Sequence, residues 1–441
     1  MASQQYPFYF DCLDVHCSFD DKSVTVDSIL YTPSEAQRKA SGNSKQAIGR
    51  SSVIQVGSAH EEAAAREQRP PGGEGEDSQN DAREASRGAG QAVGPTTKML
   101  RIIGTDEIPS DCAEPVDSKA LDQARAIVDS IRAGGEAALV AVASEYGDIE
   151  AGGSYSYSKH ELKEAFLSLP LDQQALLERV SKRILRFAAE QRASISDMET
   201  DIPGGRAGHT VSACESAGCY APGGRYPLPS SVLMTACTAR AAGVKTVWVA
   251  SPHPDKVTMA AAHVAGVDGM LSVGGAQAIA AMSQGIGPVP KCDIIVGPGN
   301  QWVTAAKSLV SQSGTAIDML AGPSEVLVIC DETADPATVA SDLLAQAEHD
   351  VEARPIMVST NRPLVDAVNA EVKKQLAELP SPNKETATQA VSKGFAVVAS
   401  SIEEAIKISD KIAPEHLEIM TKDAMEVGMK CAHYGGLFIG G

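Results

Sequence analysis

The sequence predicts an α/β protein made of parallel sheets with helices on both faces, preceded by a largely disordered N-terminal head. Three observations carry this. After Ser212, short apolar runs alternate with helical stretches across Gly-rich turns, which is the rhythm of βαβ units around a parallel sheet. The 441 residues suffice for two or three domains of ordinary size. Hydrophobic residues are 43% and charged residues 22%, a globular mix. Aromatics are only 4%, so Ala, Val, Ile and Leu must fill the cores.

Bulk charge narrows the function classes. A net charge of −19 with no basic cluster repels nucleic acid and anionic membrane. No apolar run approaches the roughly 18 residues of a membrane span. The nine cysteines are scattered without a CxxC pair, so Cys237 and Cys330 read as core thiols of a reducing compartment.

Residues 1–97 differ from the rest. The run from Glu61 to Gly94 is rich in Gly, Pro, Glu and Arg and poor in aliphatics. It cannot bury enough apolar surface to offset its ordering entropy and reads as disordered. "KSVTVDSILY" (22–31) alternates enough to form a strand or two. Asp11, Asp14, Asp20, Asp21 and Asp27 are too many acids for a transit peptide, so the expected compartment is the cytoplasm, with a plastid as the alternative.

The body begins at Met99 with "MLRIIGTDEIP". Apolar spacing of three and four from Ser118 predicts one helix through "LDQARAIVDSIRAGGEAALVAVASEYG", and a second from Lys159 to Gln191. Strands follow in "KTVWVA", "GMLSVG", "CDIIVG", "SEVLVICD", "PIMVST" and "GFAVVA", each with a helical partner.

Several turns could carry chemistry. "GCYAPGGRYPLPSS" (218–231) is a Gly/Pro loop feeding a helix capped near Ser230 or Ser231. It is a rigid turn, or a ligand loop with open backbone amides and Tyr220 as a ring face. "VGPGNQW" (296–302) runs from a strand through Gly-Pro-Gly into a helix, but the spacing is not GxGxxG. Asn300 caps that helix, or bonds a ligand at the carboxyl end of the strand. Gln277 in "GGAQAIA" opens a helix in the same way. Three such turns within about eighty residues favour a nucleotide-sized ligand. "AGPSEVLV" places Ser324 before a strand without the GxSxG elbow, so it serves a turn or a substrate bond.

Asp335-Pro336 starts a helix. In "SDLLAQAEHD", Gln346 and His349 form an i, i+3 pair on it. A core histidine with a backbone partner is the ordinary reading. Gln is a poor metal ligand, and no local HxxxH or second carboxylate completes a site. Ser401 and Glu404 make a capping box for a helix that stops at Ala413-Pro414. Glu415 and His416 follow on the turn into "HLEIM", placed either for acid–base work or as a solvated turn.

Taken in order, "GCYAPGGRYPLPS", "VGGAQAIAA", "VGPGNQWV", "AIDMLAGPSEVLV", "DLLAQAEH" and "APEHLEI" resemble the histidinol dehydrogenase family over about residues 99–441. The resemblance implies homodimers of two Rossmann-like domains that oxidise L-histidinol to L-histidine with NAD and zinc. It implies a first domain of 99–217 with 321–441 and an NAD-binding domain of 218–320. Tyr220, Gln277 and Asn300 match NAD contacts, and Ser324 a substrate contact. Gln346 and His349 match two zinc ligands that also touch substrate. Glu415 and His416 match the catalytic pair, with His416 taking the hydroxyl proton and Glu415 activating water. The family pattern continues past "GGLFIGG" with an aspartate and a histidine zinc ligand and a substrate-binding glutamate. The chain as written stops at Gly441, so weak zinc binding and impaired turnover are expected of it. A related dehydrogenase of another small alcohol, or a non-catalytic NAD-binding homologue, are the alternatives.

Overall fold

The computed structural model describes residues 99–109, 116–149, 153–223, 227–320 and 324–440, with two short head strands, Asp27–Ser28 and Ile54–Val56. The stretch from Glu61 to Gly94, expected to be disordered, lies outside the described residues. Among the described residues no helix is long and apolar enough to cross a membrane. The chain folds as two compact units. One is built mainly from Pro109–Pro323; the other from Val53–Ile108 and Ser324–Gly441.

The first unit holds a six-stranded sheet. Its order is Ala316–Ile317, Ile294–Val296, Ser216–Tyr220, Thr246–Ala250, Gly269–Leu271 and Ser156–Ser158. All neighbours are parallel except the last pair. On one face Ser118–Glu145 packs with Gly275–Gln284 and Gln301–Ser311 through Ala120, Ala124, Ile131, Ala276 and Ala305. On the other face lie Lys159–Leu167, Leu171–Ala193, Pro229–Ala241 and Lys256–Val264. Small side chains let these helices sit close, which is how a core with few aromatics reaches native density.

The second unit holds an eight-stranded sheet. Its order is Asp27–Ser28, Ile54–Val56, Gly436–Ile439, His416–Met420, Glu325–Cys330, Arg354–Ser359, Phe395–Val398 and Arg101–Ile103. It is parallel apart from the two head strands, which pair antiparallel. Pro336–Ala347, Arg362–Glu378 and Asn383–Val391 cover one face. Ile402–Ile412 and Ala424–Gly428 cover the other.

Several expectations are corrected. The segment 118–217 belongs to the same unit as 218–320, because its helices supply both covering layers of that sheet. The helix expected over 159–191 is two, since Pro170 has no amide to continue the first. The helix from Ser118 kinks at Gly135, whose φ of 62° is left-handed. Neither Ser230 nor Ser231 caps its helix: Pro229 opens it and no side chain caps it. An exposed hairpin, Met198–Ile202 with Gly205–His209, lacks the apolar alternation by which a strand is recognised. Asp335 caps as expected, accepting from Thr338 N at 2.8 Å.

Candidate functional site

The candidate residues sort onto one edge of each sheet. In the first unit they lie at the carboxyl ends of parallel strands, where open α/β sheets take ligands. Tyr220 ends Ser216–Tyr220 and is 3% exposed. Its hydroxyl accepts from Gly275 N at 3.0 Å. Burial pushes the phenol up to about 12 against the lowering effect of that bond, with the charge of Asp148 adding to the rise, so it stays neutral near pH 7. Gln277, in the first turn of Gly275–Gln284, is buried. Its Nε2 donates to Asp148 Oδ2 at 2.9 Å, and Gly274 N donates to the same oxygen at 2.9 Å. Asn300 is exposed and caps Gln301–Ser311, its Oδ1 accepting from Val303 N at 3.1 Å.

The Gly-Pro-Gly turn leading to Asn300 is packed from beneath. Gly297 has φ 121°, and a Cβ there would lie 2.1 Å from the carbonyl oxygen of Tyr220. Its amide donates to Asp318 Oδ2 at 2.7 Å, and its carbonyl accepts from Lys307 Nζ at 3.0 Å. Lys307 and Asp318 also pair with each other.

In the second unit the candidates cluster at the amino edge of the sheet. Glu415 Oε2 accepts from Glu325 N at 3.1 Å. His416 Nδ1 lies 3.1 Å from Glu325 O and 3.7 Å from Glu415 Oε2. Both candidate acid–base groups are thus pinned to the peptide of Glu325, next to Ser324, and Ser324 O accepts from Arg354 N at 3.0 Å. A carbonyl oxygen accepts only, so Nδ1 must carry the proton and Nε2 is left as the basic nitrogen. The His416 ring leans on Phe438, with centroids 6.0 Å apart. Burial pushes the Glu325 carboxyl up, against the opposing pull of Arg354.

Gln346 and His349 reach the same edge by another route. The helix Pro336–Ala347 runs back along the sheet and ends there, before the strand that begins at Arg354. Both are half-buried. Gln346 is in the last turn, whereas His349 stands beyond the helix, its amide donating to Gln346 O at 3.3 Å. The expected i, i+3 pair within one helix is therefore a helix end and a turn. As metal donors they are a neutral amide and a neutral imidazole. Among the described residues no group of three His, Cys, Asp or Glu could hold a metal. Zinc sites take three or four protein ligands, so these residues do not fit a complete zinc site.

Behind this edge lies a feature the sequence reading missed. His416, Glu418 and Met420 alternate onto one face of their strand, and Met420 packs there with the helix Pro336–Ala347. That helix carries Asp342, which hydrogen-bonds Glu418, while Glu418 Oε2 has no partner. Burial raises both carboxyls, Asp342 to about 6, and the charge of Asp342 raises Glu418 further. Asp148, Lys307 and Asp318 were missed as well. The signal for Lys307 was a lone cation in the apolar stripe of Val303 and Val310; Asp148 had none.

Comparison with known proteins identifies the family. The family model described as "Histidinol dehydrogenase" matches residues 113–441. The chain is 38% identical over 338 residues to a histidinol dehydrogenase of Cupriavidus pinatubonensis, covering 74% of this chain and 75% of that one. It is 42% identical over 288 residues to one from Parasynechococcus marenigrum, covering 64% and 65%. The fold resembles the crystal structure of histidinol dehydrogenase from Elizabethkingia anophelis, with TM-score 0.71, 30% identity and coverage of 78% and 81%. With that match spanning both units and every candidate residue, the chain belongs to the histidinol dehydrogenase family, a family of oxidoreductases.

Proposed function

We propose that this protein oxidises L-histidinol to L-histidine through L-histidinal, with NAD as the oxidant, in the last steps of histidine biosynthesis. The observation that carries the reading is the convergence of Glu415 and His416 on the peptide of Glu325, beside Ser324. Bound NAD would supply the hydride acceptor, with Tyr220, Gln277 and Asn300 as its contacts.

The protein's own groups then have distinct tasks. His416 donates a hydrogen bond from Nδ1–H to the carbonyl of Glu325 and presents Nε2 as a base. That nitrogen takes the substrate hydroxyl proton as the alcohol becomes an aldehyde. Glu415, held by the Glu325 amide, activates the water that hydrates the aldehyde before the second oxidation. Ser324 bonds the substrate. Gln346 and His349 reach the same edge as substrate contacts. As metal donors they are two neutral groups, fewer than a zinc site takes.

The test is to measure NADH formation separately from L-histidinol and from L-histidinal. His416→Asn should lower alcohol oxidation about 10²–10⁴-fold, the usual worth of a positioned base. Glu415→Gln should spare the alcohol step relative to the aldehyde step. Equal loss of both steps in both variants would mean that the pair only shapes a turn.

A further inference from the structure

We propose that Lys307 and Asp318 are a positioning pair for the cofactor turn, holding Gly297 so that Tyr220 and Asn300 stand in register for the ligand. This rests on the cofactor reading above and adds two residues to it that do not themselves touch the ligand. The two side chains are 3% and 7% exposed. Between them they bind both backbone groups of one residue. Asp318 Oδ2 accepts from Gly297 N at 2.7 Å, and Lys307 Nζ donates to Gly297 O at 3.0 Å. Asp318 Oδ1 accepts from Met319 N at 2.8 Å, so the carboxylate has a partner on each oxygen.

Stability alone gives little reason for such a pair. Taking two charges out of water costs as much as their attraction returns, and apolar residues of similar volume are often as stabilising or more so. What an apolar pair cannot do is specify where a peptide sits. Gly297 has little latitude: a displacement toward Tyr220 meets the carbonyl there, as the 2.1 Å approach of a hypothetical Cβ shows. The pair holds both of its backbone groups by direct hydrogen bonds. Lys307 sits on Gln301–Ser311, the helix capped by Asn300, and Asp318 follows the edge strand Ala316–Ile317. The clamp thus ties the turn to the helix that follows it and to the edge strand beyond that helix. A loosened turn would let Asn300 and Tyr220 drift apart, and a ligand bond lost to misplacement weakens binding without touching the fold.

The experiment compares the full chain with Lys307→Met and with the double variant Lys307→Met/Asp318→Leu. NAD affinity is measured by calorimetry, and folding by thermal midpoint and near-ultraviolet circular dichroism. Lys307→Met removes the counter-charge of a buried carboxylate and should lower both stability and affinity. The double variant removes both charges and should recover the thermal midpoint. Its NAD dissociation constant should stay at least about tenfold above wild type, the scale of one misplaced ligand hydrogen bond. A folded double variant that binds NAD within about twofold of wild type would overturn the inference, because the pair would then be merely structural. If the double variant fails to fold, Asp318→Asn, which keeps an acceptor for Gly297 N, should bind NAD within about twofold of wild type while Asp318→Ala loses at least about tenfold; equal NAD affinity in these two folded variants would overturn the inference. A wild-type chain that binds no NAD would instead remove the cofactor reading and this inference with it.

Discussion

The acid pair of Asp342 and Glu418 makes the protein's stability depend on pH in an unusual direction. Burial raises both carboxyls; the charge and hydrogen bond of Asp342 raise Glu418 further, while the bond from Glu418 partly offsets the rise at Asp342, so Glu418 holds the proton that joins them. Asp342 rises from 3.8 to about 6. Unfolding near pH 5 therefore releases a proton. The native state binds more protons than the unfolded one, and stability falls as pH rises. Its contribution is complete below about pH 4, is lost as pH rises through the Asp342 value of about 6, and continues to fall for Glu418 above that. The rise at Asp342 is worth on the order of 3 kcal/mol. In Asp342→Asn this titration disappears, and the amide can donate to the Glu418 carboxylate. The stability of the variant relative to wild type should thus improve by about 3 kcal/mol from about pH 4 to about pH 7. The assay is hydrogen exchange of the His416–Met420 amides across that range, corrected for intrinsic rates, which reads the local opening free energy. A difference that stays flat within about 0.5 kcal/mol would refute the shared proton.

Other expectations follow from the same geometry. Asn300→Ala should weaken NAD binding by about 1–2 kcal/mol in calorimetry. Asn300→Asp should restore the cap and the thermal midpoint, so recovery of NAD affinity with it would mean that Asn300 only caps. Gly297→Ala should cost about 2–4 kcal/mol in urea unfolding followed by Trp248 fluorescence, since it combines a left-handed φ with a backbone clash; wild-type stability would contradict the close approach. Residues 1–441 should lose bound zinc on dialysis against a mild chelator, because Gln346 and His349 bring no charge to the ion. Stoichiometric zinc surviving that treatment would place the ligands elsewhere.

Much of the candidate site was legible because its residues announce themselves locally. A strand, a Gly-rich turn and a helix opening with Asn300 or Gln277 form a contiguous pattern, and the turn chemistry is written in consecutive letters. The same holds for Asp335 as a cap and for Ala413-Pro414 as a stop, where the helix ends at Ile412 and Ala413 turns left-handed at φ 55°. Glu415 and His416 were visible for the same reason, being neighbours on a turn. The capping box at Ser401 was half right. Ser401 accepts from Glu404 N, but the Glu404 carboxylate turns to Ser400 instead.

By itself the sequence determined the class, the alternation of strands and helices, the turns and the family, since each depends on short-range periodicity or on motifs read in order. Tertiary structure alone decided which elements share a unit. The helices of 118–217 carry apolar faces, and only packing against Ala276 and Ala305 on one side of the sheet and Val232 and Ala260 on the other assigns them. It alone decided which edge each candidate occupies, the amino edge of one sheet and the carboxyl edge of the other. It also supplied the partners no spacing could reveal: Asp148 to Gln277, Lys307 to Asp318 and Asp342 to Glu418. These pairs join residues brought together only when sheets and helices stack. A buried charge must find its partner in space, and its place in the chain does not say where that partner is.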